Sequence, residues 1–180
     1  MNSKLYPAVF LDRDGVLSRA FVRNGKSYAP LRIEDFKLMP NASRSVKVLK
    51  ENGYKVIVVT NQPDIGRGRV ALEVVEEMHK KLHEKTKVDD VYLCAHRQDE
   101  GCECRKPKPG MLLHAAKKHR IDLNKSFMVG DRASDVEAGM KAGCRTVFID
   151  RHYAEPRPLT SETKVTSLQK AVKYILANRK

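Results

Sequence analysis

The 180-residue sequence contains no tryptophan, and aromatic residues make up only 6% of it. That leaves little material for the stacked aromatic platforms that hold single-stranded nucleic acids. Long apolar runs are missing too: nothing approaches the roughly 18 residues of a membrane-spanning helix. The opening stretch Met1–Leu5 is short and polar, and Pro7–Leu11 already reads as a core strand. No secretory leader or membrane attachment is therefore expected, and the cytoplasm is the default location. Cysteine is scarce, but three of the four, Cys94, Cys102 and Cys104, fall within eleven residues. In a chain without a secretion signal, such clustering points to metal binding rather than disulfides.

Positive charge is abundant. There are 35 Lys and Arg residues against 22 Asp and Glu, for a net charge of +13. Such a surface attracts phosphorylated sugars, nucleotides and nucleic acids alike. The basic residues are scattered, with no arginine-rich tail, so a solvated basic surface explains them equally well. Hydrophobic residues account for 41%, which argues for a globular fold rather than disorder. The length suits one domain over residues 1–180, with a substantial core.

Apolar runs alternate with helical patterns, the signature of an α/β fold with a mostly parallel central sheet between helical layers, Rossmann-like in type. Strands are expected at Ala8–Leu11, Lys55–Thr60, Val91–Cys94, Phe127–Val129 and Arg145–Ile149. Helices are expected at Ala42–Glu51, Leu72–Thr86, Gly110–His119 and Ser134–Ala142, with a last helix over residues 167–177 capped by Ser167. Residues 151–166 read as irregular. Ser18–Pro40 has weak periodicity and is long for a connection, which favours a functional loop.

Three of the strands run into polar clusters: Asp12-Arg13-Asp14-Gly15-Val16, Thr60-Asn61-Gln62, and Gly130-Asp131-Arg132-Ala133-Ser134-Asp135. A fourth cluster, Arg105-Lys106-Pro107-Lys108-Pro109-Gly110, precedes a helix. Ligands of open parallel sheets bind at the carboxyl ends of strands, so all four can converge on one crevice. Two aspartates two apart can divide the work there, one attacking phosphorus and the other handling the proton. Asp131 adds a third carboxylate for an oxygen-loving ion such as Mg²⁺. Lys106 can neutralise a phosphoryl group to which Thr60 and Asn61 donate hydrogen bonds. Each element alone has a bland alternative as a turn or a helix cap. The ordered set carries the weight.

The four motifs, in this order, resemble those of the haloacid-dehalogenase phosphatase superfamily. The resemblance implies Asp12 as nucleophile and Asp14 as general acid, then general base. It implies Mg²⁺ held by Asp12, the Asp14 backbone carbonyl and Asp131, with Thr60 and Lys106 on the transferring phosphoryl group.

Cys94-x-His96 followed by Cys102-x-Cys104 offers three thiolates and an imidazole at a spacing that lets one loop, about residues 94–104, wrap a tetrahedral Zn²⁺. With no spare position, such a zinc is structural. The loop leads straight into Arg105-Lys106, so folding around zinc would also place Lys106. The cluster resembles the zinc-containing branch that holds the heptose 1,7-bisphosphate 7-phosphatases and the histidinol-phosphatase domain, which usually lacks a large cap domain. The Ile65-Gly66-Arg67-Gly68 and Cys104-Arg105-Lys106-Pro107 stretches match the heptose enzymes. That likeness implies substrate-binding roles for Gln62, Arg105 and Arg132. It also implies removal of the 7-phosphate of a heptose bisphosphate in nucleotide-activated heptose (lipopolysaccharide) synthesis. Pro63-Asp64 and the long Ser18–Pro40 segment depart from the pattern near the expected substrate.

The expected partner is thus a small phosphorylated sugar, bound by a monomer, rather than nucleic acid. Histidinol-phosphate phosphatase and polynucleotide 3′-phosphatase are the rival activities, and a non-catalytic basic nucleic-acid-binding protein is the rival class. His79 and His83, four apart on a helix, read as surface or partly buried residues, Cys144 as a small core residue, and Arg19, Arg23 and Lys26 as solubilising loop charges.

Overall fold

Val9 and Leu11 face one side of the first strand, β1 (Ala8–Leu11), Ala8 and Phe10 face the other, and all four are fully buried. A strand covered on both faces needs an unbroken apolar run, which is what the sequence has there. The computed structural model describes residues 4–179, so Met1–Ser3 of the polar opening stretch lie outside the described residues. After β1 the chain forms a hairpin of β2 (Phe21–Arg23) and β3 (Lys26–Tyr28), then α1 (Ala42–Glu51), β4 (Lys55–Asn61), the short α2 (Pro63–Gly66), α3 (Leu72–Thr86) and β5 (Asp90–Cys94). It continues through α4 (Gly110–His119), β6 (Phe127–Gly130), α5 (Ala133–Ala142), β7 (Arg145–Ile149), β8 (Thr163–Val165) and α6 (Leu168–Ala177).

Six strands form one sheet in the order β5-β4-β1-β6-β7-β8, and every neighbouring pair is parallel. On one face Val9, Leu11, Val56, Val58 and Val129 pack with Val46 and Leu49 of α1, Met78 and Leu82 of α3, and Leu168 and Ile175 of α6. On the other, Ala8, Phe10, Ile57, Val59 and Met128 pack with Leu112 of α4 and Ala138 of α5. The result is three layers, as expected. β4 and β5 lie to one side of β1, and β6, β7 and β8 to the other. The winding reverses at β1, which opens a crevice at the carboxyl ends of β1, β4 and β6.

Three elements escape the sequence patterns. The Ser18–Pro40 segment contains the β2–β3 hairpin, turned by Asn24 and Gly25 at positive φ (50° and 72°), the mirror-image turn that suits strand twist. Asn-Gly is a recognisable signal, but three-residue strands are too short to show periodicity. Thr163–Val165, within the stretch read as irregular, joins the sheet edge beside β7. α2 is a single turn begun by Pro63. Ser167 does cap α6, its Oγ accepting from the Lys170 amide at 3.2 Å. Among the described residues no helix is long and apolar enough to cross a membrane.

Candidate active site

Asp12 continues β1 by one residue, its amide donating to the Val129 carbonyl of β6 at 3.0 Å. Asp131 follows the end of β6, and Asp135 lies in the first turn of α5, where its Oδ2 accepts from the Arg132 amide at 3.0 Å. Carboxylate oxygens of these three buried acids all lie within 4.8 Å of one another. The Lys106 ammonium bridges two of them, 2.6 Å from Asp12 and 2.7 Å from Asp135, and donates to the Val59 carbonyl at 2.7 Å. Two glycines make the crowding possible. A Cβ on Gly15, whose φ is +93°, would sit 1.8 Å from Asp131 Oδ2, and one on Gly130 would sit 2.1 Å from the Asp135 Cβ.

Three carboxylates and one ammonium leave this cluster with an excess of two negative charges. Burial pushes the Asp12 carboxyl up to about 6. Lys106 pulls it back, while Asp135 and Asp14 add to the rise. Burial, then the charges of Asp12 and Asp135, raises Asp131 well above the ordinary carboxylate value. Burial opposes the charge on Lys106, but Asp12 and Asp135 overcome it and hold the ammonium above the usual lysine range. Both Asp131 oxygens are buried and make no hydrogen bond of ordinary geometry among the described residues; the Tyr153 hydroxyl beside them offsets the rise in the Asp131 carboxyl without cancelling it. Orphaned carboxylate oxygens beside other acids are costly, and a divalent cation bound by oxygen ligands relieves that cost. Asp12, Asp131 and Asp135 bring carboxylate oxygens close enough together to share such an ion. Asp135 is the addition, since sequence spacing alone leaves it between a supporting group and an exposed acid.

Asp14 is turned to a different set of partners. Its carboxylate accepts from Arg13 Nε and Nη2 (2.8–3.1 Å), from the Ser18 hydroxyl at 2.9 Å and from the Gln62 amide at 2.8 Å. Arg13 has no exposed surface, and its Nη1 lies 3.0 Å from His79 Nε2. A guanidinium can only donate, so that imidazole nitrogen is the acceptor. Burial, followed by the Arg13 charge, lowers His79 to about 4, which keeps it neutral.

Of the residues expected to bind phosphate or substrate, Thr60, Asn61, Lys106, Arg105 and Arg132 line one crevice of about 440 Å³ together with Asp12, Asp14 and Asp135. Two residues are engaged otherwise than the sequence suggests. The Asn61 side chain is occupied with the Lys106 backbone, donating to its carbonyl at 3.0 Å and accepting from its amide at 3.1 Å. Gln62 is 2% exposed and donates to Thr60 Oγ1 at 2.9 Å as well as to Asp14. Arg132 donates to the Ser27 carbonyl and sits 3.3 Å from Glu155, so the hairpin forms part of the crevice wall with Lys26 and Tyr28.

Cys94 ends β5 and is buried; His96, Cys102 and Cys104 close a loop back onto it. Cys94 Sγ lies 3.5 Å from His96 Nδ1 and 3.6 Å from Cys102 Sγ, and Cys104 Sγ lies 3.3 Å and 3.5 Å from the same two atoms. Tetrahedral bonds of ~2.3 Å to sulfur and ~2.0 Å to nitrogen imply ligand separations of roughly 3.5–3.8 Å, so the four atoms fit one ion. The loop is tied to the crevice. The Gln62 backbone N–H donates to the Cys94 carbonyl at 2.8 Å, and the Gly66 backbone N–H to the Ala95 carbonyl at 3.0 Å.

The HAD-hydrolase-like family model matches residues 103–172. The chain is 40% identical over 141 residues, 75% of it and 78% of the relative, to the D-glycero-β-D-manno-heptose-1,7-bisphosphate 7-phosphatase of Helicobacter pylori (strain 26695). It is 34% identical over 180 residues, 94% of the chain and 90% of the relative, to the protein of the same name from Pasteurella multocida. Among solved structures, the D,D-heptose 1,7-bisphosphate phosphatase of B. bronchiseptica, complexed with magnesium and phosphate, superposes with a TM-score of 0.77. It covers 95% of this chain and 98% of that one at 24% identity. The corresponding enzyme of Burkholderia thailandensis gives 0.65 over 96% and 99% at 22% identity. At these identities the two structures speak for the fold.

Proposed function

This chain belongs to the HAD-like family of the D-glycero-β-D-manno-heptose-1,7-bisphosphate 7-phosphatases, and on that premise we propose that it hydrolyses the 7-phosphate of this heptose bisphosphate with Mg²⁺ through an aspartyl-phosphate. The observation that carries the reading is the meeting of Asp12, Asp131, Asp135 and Lys106 at the carboxyl ends of β1 and β6. Relatives identical at 34–40% bear the name of this activity.

In this mechanism an Asp12 carboxylate oxygen attacks phosphorus, and the bond from phosphorus to the sugar oxygen breaks. Asp14, in its acid form, gives the departing oxygen its proton. Water then attacks the aspartyl-phosphate, the bond to Asp12 breaks, and the Asp14 carboxylate takes the water proton. Lys106 neutralises the phosphoryl oxygens alongside the Thr60 hydroxyl. Asn61 contributes by holding the Lys106 backbone, and Gln62 by holding Asp14. Asp12, Asp131 and the Asp14 carbonyl would bind Mg²⁺, with Asp135 beside them; when bound, the ion would supply counter-charge to the acids and Lewis-acid stabilisation of the phosphoryl oxygens. Arg105 and Arg132 face the same crevice and take the remainder of the anionic substrate. Cys94, His96, Cys102 and Cys104 would hold a structural Zn²⁺, which would fix the loop carrying Arg105 and Lys106.

A panel with Mg²⁺ tests this. Phosphate release is measured from the β and α anomers of heptose 1,7-bisphosphate, from histidinol phosphate and from a 3′-phosphorylated oligonucleotide, with Asp12→Asn as control. The highest kcat/KM is expected on the β anomer, with no turnover by Asp12→Asn. Preference for either of the last two substrates, or retained activity in a clean Asp12→Asn preparation, would refute the assignment.

A further inference from the structure

Arg13 occupies the interchangeable position of the Asp-x-Asp motif, and His79 lies on a helix with no assigned role. Yet Arg13 is among the largest side chains with no solvent exposure at all. A buried guanidinium is unfavourable unless it is paired and hydrogen-bonded, and for stability alone an apolar side chain of similar volume serves as well or better. Here the pairing is specific. Nε approaches both Asp14 oxygens (3.1 and 3.0 Å) and Nη2 meets Oδ2 at 2.8 Å, a two-pronged contact that fixes the carboxylate plane as well as its position. On its far side Arg13 is seated by His79 Nε2 at 3.0 Å and by the Phe36 ring, whose centroid is 5.6 Å from Cζ. His79 is carried by α3, next to Met78 and one turn from Leu82, both fully buried. The orientation of Asp14 is thereby tied, through two side chains, to the packed core.

We propose that Arg13, seated against His79, is a positioning residue that, beside Ser18 and Gln62, orients the Asp14 carboxyl for proton transfer to the leaving sugar oxygen. This deepens the phosphatase reading above and rests on it. A sugar alkoxide is a poor leaving group and needs the proton, whereas p-nitrophenolate leaves without one. Faulty placement of Asp14 therefore slows one substrate and largely spares the other. A general loss of structure slows both.

The experiment compares kcat/KM, which reports events up to departure of the leaving group, for heptose 1,7-bisphosphate and p-nitrophenyl phosphate. Wild type, Arg13→Met, His79→Leu, His79→Gln, Asp14→Asn and the double variant Asp14→Asn/Arg13→Met are measured. Arg13→Met is expected to lower the sugar-to-nitrophenyl ratio at least about tenfold, in the same sense as Asp14→Asn, since positioned acid catalysis is worth about 10²–10⁴-fold. His79→Leu lowers it less, and His79→Gln, which keeps an acceptor, restores most of what His79→Leu loses. The double variant falls no further than Asp14→Asn alone, the sign of two residues acting through one group. Equal losses on both substrates in variants that keep the wild-type circular dichroism and melting temperature would overturn the proposal, as would a double variant showing the product of the two single losses. If Arg13→Met fails to fold, the two His79 variants decide. A wild-type enzyme that cleaves p-nitrophenyl phosphate but no heptose bisphosphate refutes the substrate reading alone, and the ratio is then taken with mannose 6-phosphate.

Discussion

Replacing the proposed nucleophile should stabilise the metal-free protein at neutral pH. On folding, the Asp12 carboxyl moves from an ordinary 3.8 to about 6, chiefly through burial. Native Asp12 thus holds its proton more tightly than the unfolded chain does. The associated stability is complete below about pH 4 and is lost as the pH rises through about 6. At about 1.4 kcal/mol per pH unit, ionised Asp12 costs the native state about 3 kcal/mol at pH 7.5. Asp12→Asn removes that cost, and Lys106 keeps Asp135 at 2.7 Å and the Val59 carbonyl at 2.7 Å as partners. For a chain of this size the gain amounts to about 6–12 °C in melting temperature. Thermal unfolding is followed between pH 4.5 and 8 in magnesium-free buffer without chelator, so that a thiolate-bound metal is left in place. Asp12→Asn should melt well above wild type at pH 7.5, with the gap shrinking toward pH 4.5. Mg²⁺ should then raise the wild type more than the variant, because the cation relieves the same repulsion. A pH-independent gap, or a less stable variant at pH 7.5, would refute the electrostatic account.

Elemental analysis is expected to find about one zinc per chain, and Cys104→Ser to lose it together with at least about tenfold in kcat, because the loop delivers Lys106 to the crevice. A zinc-free preparation that is well folded and fully active would exclude this coupling. Asn61→Ala should lower ligand-free stability by about 1–3 kcal/mol, since it leaves the Lys106 amide and carbonyl without partners. If Asn61 acted only as a phosphate contact, the melting temperature without phosphate would not move.

Much of the candidate site is legible in the chain's own residues. Asp12, Thr60, Lys106 and Asp131 stand beside strand ends or helix starts, and their chemistry follows from residue type plus the rule that parallel sheets bind ligands at the carboxyl ends. The cysteine–histidine spacing likewise implies a four-ligand site on its own. Asp135 is ambiguous in sequence, because one turn into a helix an acid faces either solvent or the crevice, and only packing against Gly130 decides which. The hairpin is hidden because two three-residue strands carry almost no periodicity, although Asn24-Gly25 marks its turn.

The succession of the longer strands and helices, the two-sided burial of β1 and β4, and the identity of the acids, the lysine and the sulfur ligands all follow from the amino-acid order. They depend on local pattern and on chemistry that residue type alone specifies. Partnership belongs to the folded arrangement. It turns Asn61 onto the Lys106 backbone and Gln62 onto Asp14, draws Asp135 into the acid cluster, and seats Arg13 between Asp14 and a histidine 66 residues away in the chain. Sequence spacing constrains neighbours along one element, whereas these contacts join separate strands and helices. They are set only when the sheet order places β1, β4 and β6 side by side with α3 beneath them.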